Sequence, residues 1–186
     1  MTSPRLIPRQ PVPPLEVPTL DGGAWRVSER NPQNFTLIVF YRGLHCPICR
    51  GYLGSLERSL PEFERRGVEV IAISTDEEAR ARQAKTDWRL SQLTIGYGLE
   101  LDEARRWGLY ISSGIGRTSA GVEEPPLFAE PGLFLVRPDG TLYCASVQTM
   151  PFARPSFEDI LKAIDFVIAK SYPARGEVVD LAEAAE

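Results

Sequence analysis

The sequence predicts an α/β fold, a three-layer α/β/α sandwich around a central mixed β-sheet. Three observations predict it. Residues 35–41 (FTLIVFY) and 68–74 (VEVIAIS) are continuous apolar, β-rich runs, the pattern of strands buried on both faces of a parallel sheet. Between them Leu53, Leu56, Leu60 and Phe63 recur three or four apart, as on one face of a helix. Later, residues 132–137 (GLFLVR) and 141–147 flank Pro138–Asp139–Gly140, a turn signal that returns the chain as an antiparallel pair.

The elements follow in order. Residues 1–18 read as an extended arm stiffened by proline, holding six of the 16 prolines in the chain. Thr19 with Asp21–Gly22–Gly23 signals a turn, and residues 24–27 a short hairpin strand. Strand 35–41 leads into a helix that runs to about Arg66, with Gly67 to close it. Strand 68–74 follows. Asp76 is placed to cap the next helix, which extends to about Trp88. Residues 93–98 suggest a short strand and 102–108 a short helix. Residues 111–130, rich in Gly, Ser and Pro, read as a long loop. After the hairpin, residues 156–171 form an amphipathic helix with Ile160, Leu161, Ile164, Phe166, Val167 and Ile168 as its apolar set. Ser156 and Asp159 resemble a capping box there. The acidic stretch 177–186 is polar, with a helix as one option. No repeat or linker divides the chain, so the expected organisation is arm 1–18, domain 19–172 and tail 173–186.

Composition narrows the function. With 186 residues, 43% hydrophobic and 25% charged, the chain is long enough and apolar enough for one core, which excludes disorder as its main state. Three cysteines do not make a disulfide scaffold. A net charge of −4 argues against nucleic acid or an anionic membrane as partner. No segment approaches the ~18 apolar residues of a membrane span, and the first 18 residues lack the apolar stretch of a secretory signal. The expected location is the cytoplasm, where thiols stay reduced and a close Cys pair is catalytic or metal-binding more often than structural. With one histidine, His45, conventional Ser-His-Asp chemistry and His-rich metal sites hang on a single residue.

The most specific signal is Cys46–Pro47–Ile48–Cys49, a C-x-x-C at a strand-to-helix junction. Thiolate is the reactive form of cysteine, and a helix start offers free N–H groups and partial positive charge that favour it. Pro47 suits the first helical position, where its missing N–H costs nothing. The spacing brings both sulfurs to one side of the first turn. Structural zinc would need Cys46, Cys49, Cys144 and His45 together, but His45 and Cys46 are adjacent and no second C-x-x-C exists. Two inert buried thiols are the other bland alternative. The expected site needs neither a cofactor nor a metal.

The stretch Phe40–Tyr41–Arg42–Gly43–Leu44–His45–Cys46–Pro47–Ile48–Cys49–Arg50 resembles the active site of peroxiredoxin-like proteins of the AhpC/TSA family (alkyl hydroperoxide reductase and thiol-specific antioxidant), within the thioredoxin-fold superfamily. The resemblance spans roughly residues 14–170. It implies a thioredoxin-like version of the sandwich. It also implies a thiol-dependent antioxidant oxidoreductase, reducing hydrogen peroxide or organic hydroperoxides through a redox pair recycled by an external, thioredoxin-type dithiol donor. A homodimer is a further expectation of the resemblance. Met150–Pro151–Phe152–Ala153–Arg154 resembles the family's stretch whose Arg supports the site, which marks Arg154.

The sequence also departs from the family pattern. Aligned without gaps, Cys49 takes the peroxidatic place, Cys46 that of a Thr and Arg42 that of a Pro. Pro131 stands where the family has its first active-site Arg, and thioredoxins carry a cis-Pro before the same strand. Both a cis and an ordinary trans Glu130–Pro131 bond are therefore in play. Thioredoxin logic makes Cys46 the attacker and Cys49 the resolver, while the ungapped alignment reverses them; the exposed helix edge favours Cys46. Arg42 and Arg50 flank the pair, as thiolate-stabilising cations or as solvated side chains. His45 is an imidazolium, a proton carrier or a packing residue. Cys144 reads as a core thiol, and residues 114–130 as a cover for the site or a surface insertion. A protein-disulfide reductase with little peroxidase activity is the second functional expectation, and a redox-sensing or binding domain without turnover the third.

Overall fold

A computed structural model describes residues 6–180. Its central sheet has five strands in the order β5-β4-β3-β8-β9, where β3 is Phe35–Phe40, β4 Val68–Ile73, β5 Thr94–Gly96, β8 Gly132–Val136 and β9 Leu142–Val147. The first three run parallel; β8 lies antiparallel to β3, and β9 to β8. The sheet is thus mixed, as expected. Every residue of β3 is buried, because this central strand is covered on both faces.

Side chains alternate across β3 and divide the core in two. Leu37 and Val39 join Leu53, Leu56 and Phe63 of α1 (Pro47–Arg65), Ala81 of α2 (Glu78–Asp87), and Phe157 and Ile164 of α4 (Phe157–Lys170). Ile38 and Phe40 point the other way, onto Trp107, Leu109 and Ala104 of α3 (Leu101–Arg106) and its C-terminal end. Trp25 and Val17 complete that second layer from the hairpin of β1 (Glu16–Pro18) and β2 (Ala24–Arg26). Phe40, Trp107 and Phe134 meet edge-on or tilted at centroid distances of 5.1–5.6 Å, in the range aromatic pairs prefer.

Local signals set most boundaries. At the end of α1, Gly67 adopts φ +64 and donates its N–H to the Glu64 carbonyl. At the start of α4, Ser156 accepts from the Asp159 N–H at 3.1 Å, while its hydroxyl donates to the Asp159 carboxylate at 2.7 Å. Asp139 accepts from both the N–H and the hydroxyl of Thr141, closing the β8–β9 turn. Ahead of the sheet, Arg9 and Gln10 pair with Leu142 at the start of β9, so part of the proline-rich arm lies along this edge.

Three expectations need correction. Residues 111–130 are not one loop: β6 (Ile111–Ser113) and β7 (Leu127–Ala129) pair antiparallel, and Thr118 and Gly116 bond across the turn to Val122 and Glu124. Strands of three residues are too short to leave a period in the sequence. Asp76 does not cap α2; Glu77 holds that position without a side-chain bond, and the Asp76 carboxylate is buried against the loop after β3. On α4, Phe166 and Ile168 face solvent, so the buried stripe is narrower than its apolar content suggested. In the tail, residues 177–180 form no helix, and 181–186 lie outside the described residues. Among the described residues, no helix is long and apolar enough to cross a membrane.

Replacing Ser156 with Ala removes the α4 cap at a cost of about 1 kcal/mol. For a chain of this size a fall in Tm of roughly 2–4 °C is expected in thermal unfolding. An unchanged Tm would show that the cap contributes nothing.

Candidate active site

Six residues separate β3 from α1, at the carboxyl ends of the parallel strands, where open α/β sheets gather their sites. The connection is tightly held. Tyr41 donates its N–H to the Ile73 carbonyl at 3.0 Å. Gly43 turns at φ +127, a conformation that requires glycine. The Cys46 N–H closes the turn on the Gly43 carbonyl at 3.1 Å.

Cys46 is the N-cap of α1, in extended conformation, and Pro47 follows as the first helical residue. Its Sγ accepts from the Cys49 N–H at 3.4 Å, where capping residues normally present an oxygen. Both sulfurs are buried, free of any disulfide, and touched by one guanidinium: Arg154 Nη2 lies 3.2 Å from Cys49 Sγ and 3.9 Å from Cys46 Sγ. Arg154 is fixed by its Nε, which donates to the Pro151 carbonyl at 2.8 Å, and by the Tyr52 ring, 5.0 Å from its guanidinium. The Tyr52 hydroxyl in turn donates to the Pro155 carbonyl. Arg154 Nη1 is buried and has no protein partner.

This setting separates the two thiols. Cys46 is lowered to about 6, chiefly because the Cys49 thiol can donate to it; burial opposes this, and the Cys49 N–H and the Arg154 and Arg42 charges assist. Cys49 is pushed up, first by burial and then by the Cys46 sulfur beside it. The two shifts run in opposite directions and favour ionisation of Cys46 over Cys49.

The flanking residues fall into a second cluster. Arg42 pairs with Glu124 at 3.2 Å and lies within 3.5 Å of Glu130, with Phe128 stacked 4.6 Å from its guanidinium. His45 is fully buried against Phe128, with no hydrogen bond to either ring nitrogen. Burial, with the Arg42 charge, lowers His45 to about 4, so it is neutral at pH 7. Arg50 is exposed. The Glu130–Pro131 bond is trans, which removes the cis alternative; the Pro131 carbonyl accepts from the Gln148 N–H. Cys144 lies in β9 opposite Leu135, away from any helix start, and burial raises its pKa. Among the described residues, no three His, Cys, Asp or Glu side chains gather as metal ligands.

The sequence reading missed Tyr52, Glu124, Glu130 and the true place of Asp76. Tyr52 carried a usable signal, three residues after Cys49 on the same helix face. Glu124 and Glu130 carried none, since surface hairpins and buried ion pairs use the same residue types.

The AhpC/TSA family profile matches residues 8–144. The chain belongs to that family, and with it to the thioredoxin-fold oxidoreductases. It is a peroxiredoxin-like protein, a thiol peroxidase by class. Solved structures of similar fold include peroxidoxin BcpB from Mycobacterium tuberculosis, 16% identical over 88% of this chain and 99% of that one (TM-score 0.68). A peroxiredoxin-like protein from Aquifex aeolicus is 15% identical, covering 89% and 90% (TM-score 0.71). AhpC from Enterococcus faecalis is 18% identical, covering 92% and 99% (TM-score 0.68). No curated protein matches the sequence.

The Cys49 contribution can be isolated by pairing two variants. Cys49→Ser keeps a donor beside Cys46 and should leave its pKa near 6. Cys49→Ala removes the donor and should raise it, slowing alkylation at pH 5 by about tenfold for each unit gained. Mass spectrometry that locates iodoacetamide adducts across a pH series reads both.

Proposed function

We propose that the protein reduces small hydroperoxides, with Cys46 as the attacking thiolate and Cys49 as the resolving thiol. The observation that carries this reading is the pair of buried sulfurs on the Arg154 guanidinium, whose Nη1 has no protein partner, with the Cys46 pKa lowered. Cys46 is only 1% exposed, which suits a small peroxide better than the disulfide of a folded protein.

The Cys46 thiolate attacks the O–O bond of ROOH. An S–O bond forms as O–O breaks, and the departing RO⁻ takes a proton to leave as ROH. Arg154 offers a fixed cation to the oxygen on which charge develops. Once Cys46 is a neutral sulfenic acid, its charge no longer adds to the burial that raises Cys49, while Arg154 remains 3.2 Å from the Cys49 sulfur. Cys49 then ionises and attacks the Cys46 sulfur, forming S–S and releasing the hydroxyl as water. An external dithiol of the thioredoxin type returns the pair to its reduced form by thiol–disulfide exchange. In this scheme Arg42 adds positive potential, neutral His45 packs the turn, and Pro131 shapes the wall where β8 begins.

The test is stopped-flow oxidation by hydrogen peroxide with adduct mapping. Cys46→Ser should lose rapid oxidation, whereas Cys49→Ser should accumulate sulfenic acid at Cys46. If Cys49→Ser alone abolishes the reaction, the two roles are reversed. Rapid reduction of insulin disulfides, with peroxide reacting no faster than it does with free cysteine, would favour the protein-disulfide reductase instead.

The rate should follow the Cys46 thiolate. It should rise with pH through about 6 and level off above it, since a lowered pKa leaves the nucleophile ionised across the neutral range. A rate still rising between pH 7.5 and 9 would contradict the assignment.

A further inference from the structure

The buried Asp76 carboxylate has no part in the chemistry above, yet it lies against the turn that presents Cys46. Its Oδ2 accepts the Leu44 N–H at 2.6 Å. Its Oδ1 accepts from Arg80 Nε at 3.0 Å, and Arg80 Nη2 reaches the Glu123 carbonyl in the β6–β7 hairpin at 3.1 Å. The Asp76 main chain is pinned on both sides, by the Ser74 hydroxyl and by the Gly98 N–H. The carboxylate also fills the space above Gly43, where an added Cβ would fall 2.6 Å from Oδ2. A carboxyl with no side-chain exposure is expensive to keep charged unless its hydrogen bonds are needed, and burial does push its pKa up.

We infer that Asp76 is a positioning residue for Cys46: by holding the Leu44 N–H it fixes the Gly43–Cys46 turn and keeps the Cys46 sulfur on the Cys49 N–H. The inference rests on Cys46 being the attacking thiolate. Arg80 ties the same carboxylate to the hairpin. Without the carboxylate, the Leu44 N–H is left buried and unpaired, and the turn must move to find a partner.

Two roles for Asp76 predict opposite signs. As a mere negative charge near a thiolate it raises the Cys46 pKa, so its removal lowers that pKa and speeds alkylation. As a positioning residue it lowers the pKa, so Asp76→Ala raises it. Alkylation of Cys46 by iodoacetamide, followed from pH 5 to 9 with adducts assigned by mass spectrometry, reads this without any peroxide. For Asp76→Ala we expect about tenfold slower alkylation at pH 5, converging on the wild-type rate at pH 9. Asp76→Asn keeps an acceptor for Leu44 and should recover most of that loss. Asp76→Ser, whose shorter side chain falls back from the Leu44 N–H, should show the slow profile and stands in if Asp76→Ala does not fold. Faster or unchanged alkylation in folded Asp76→Ala or Asp76→Ser would overturn the inference. So would an Asp76→Asn profile as slow as that of Asp76→Ala, which would make the Arg80 ion pair the active link. A wild-type Cys46 that titrates near 9 would instead remove the attacking-thiolate assignment beneath it.

Discussion

The hydrogen bond from the Cys49 N–H to the Cys46 sulfur marks where α1 begins, and the rest of the site takes its position from that point. A helix can start there because Pro47 needs no N–H partner and because Cys46 remains extended. The sulfur occupies a place usually held by an oxygen, where the first-turn amides are unpaired and the field is positive. Moving the start by one residue would rotate both sulfurs relative to Arg154. The packing of Leu53, Leu56 and Phe63 against β3 prevents this slip, so the buried face of the helix holds the register of its reactive end.

Arginine does three separate jobs around this turn. Arg154 touches both sulfurs, Arg42 is absorbed by Glu124 and Glu130, and Arg80 braces Asp76. Their differing partners explain why proximity in sequence is a poor guide to role. Arg42 lies four residues from Cys46 and pairs elsewhere, whereas Arg154 is 108 residues away and makes the contact. The β6–β7 hairpin supplies Glu124 to Arg42, the Glu123 carbonyl to Arg80 and the Phe128 ring to His45, so it is joined to the cysteine turn by charge and by packing.

Much of this was legible in the sequence. The apolar runs of β3 and β4 forced buried parallel strands, the three-residue spacing of the cysteines put both sulfurs on one turn, and Met150–Arg154 pointed to the guanidinium that reaches them. The illegible parts share a physical cause. β6 and β7 are too short for alternation to register. Asp76 carries the same residue type as a helix cap, and only three-dimensional packing turns it toward Leu44. The burial of Glu124 and Glu130 depends on where Arg42 comes to rest, which no local window contains. His45 offered three roles from its residue type, and burial among cations keeps it neutral.

The lowered thiolate at the head of α1 also has a thermodynamic side. Each interaction that steadies the Cys46 anion belongs to the dithiol form and is lost when the sulfur enters a disulfide. A Cys46–Cys49 bond would therefore be the less favoured partner of its couple, with a reduction potential shifted toward the oxidising end, as in other proteins whose reduced form is stabilised in this way. Such a bond accepts electrons readily from ordinary dithiols. On the proposed roles, the cap that readies the Cys46 sulfur for attack also biases the pair toward its reduced form.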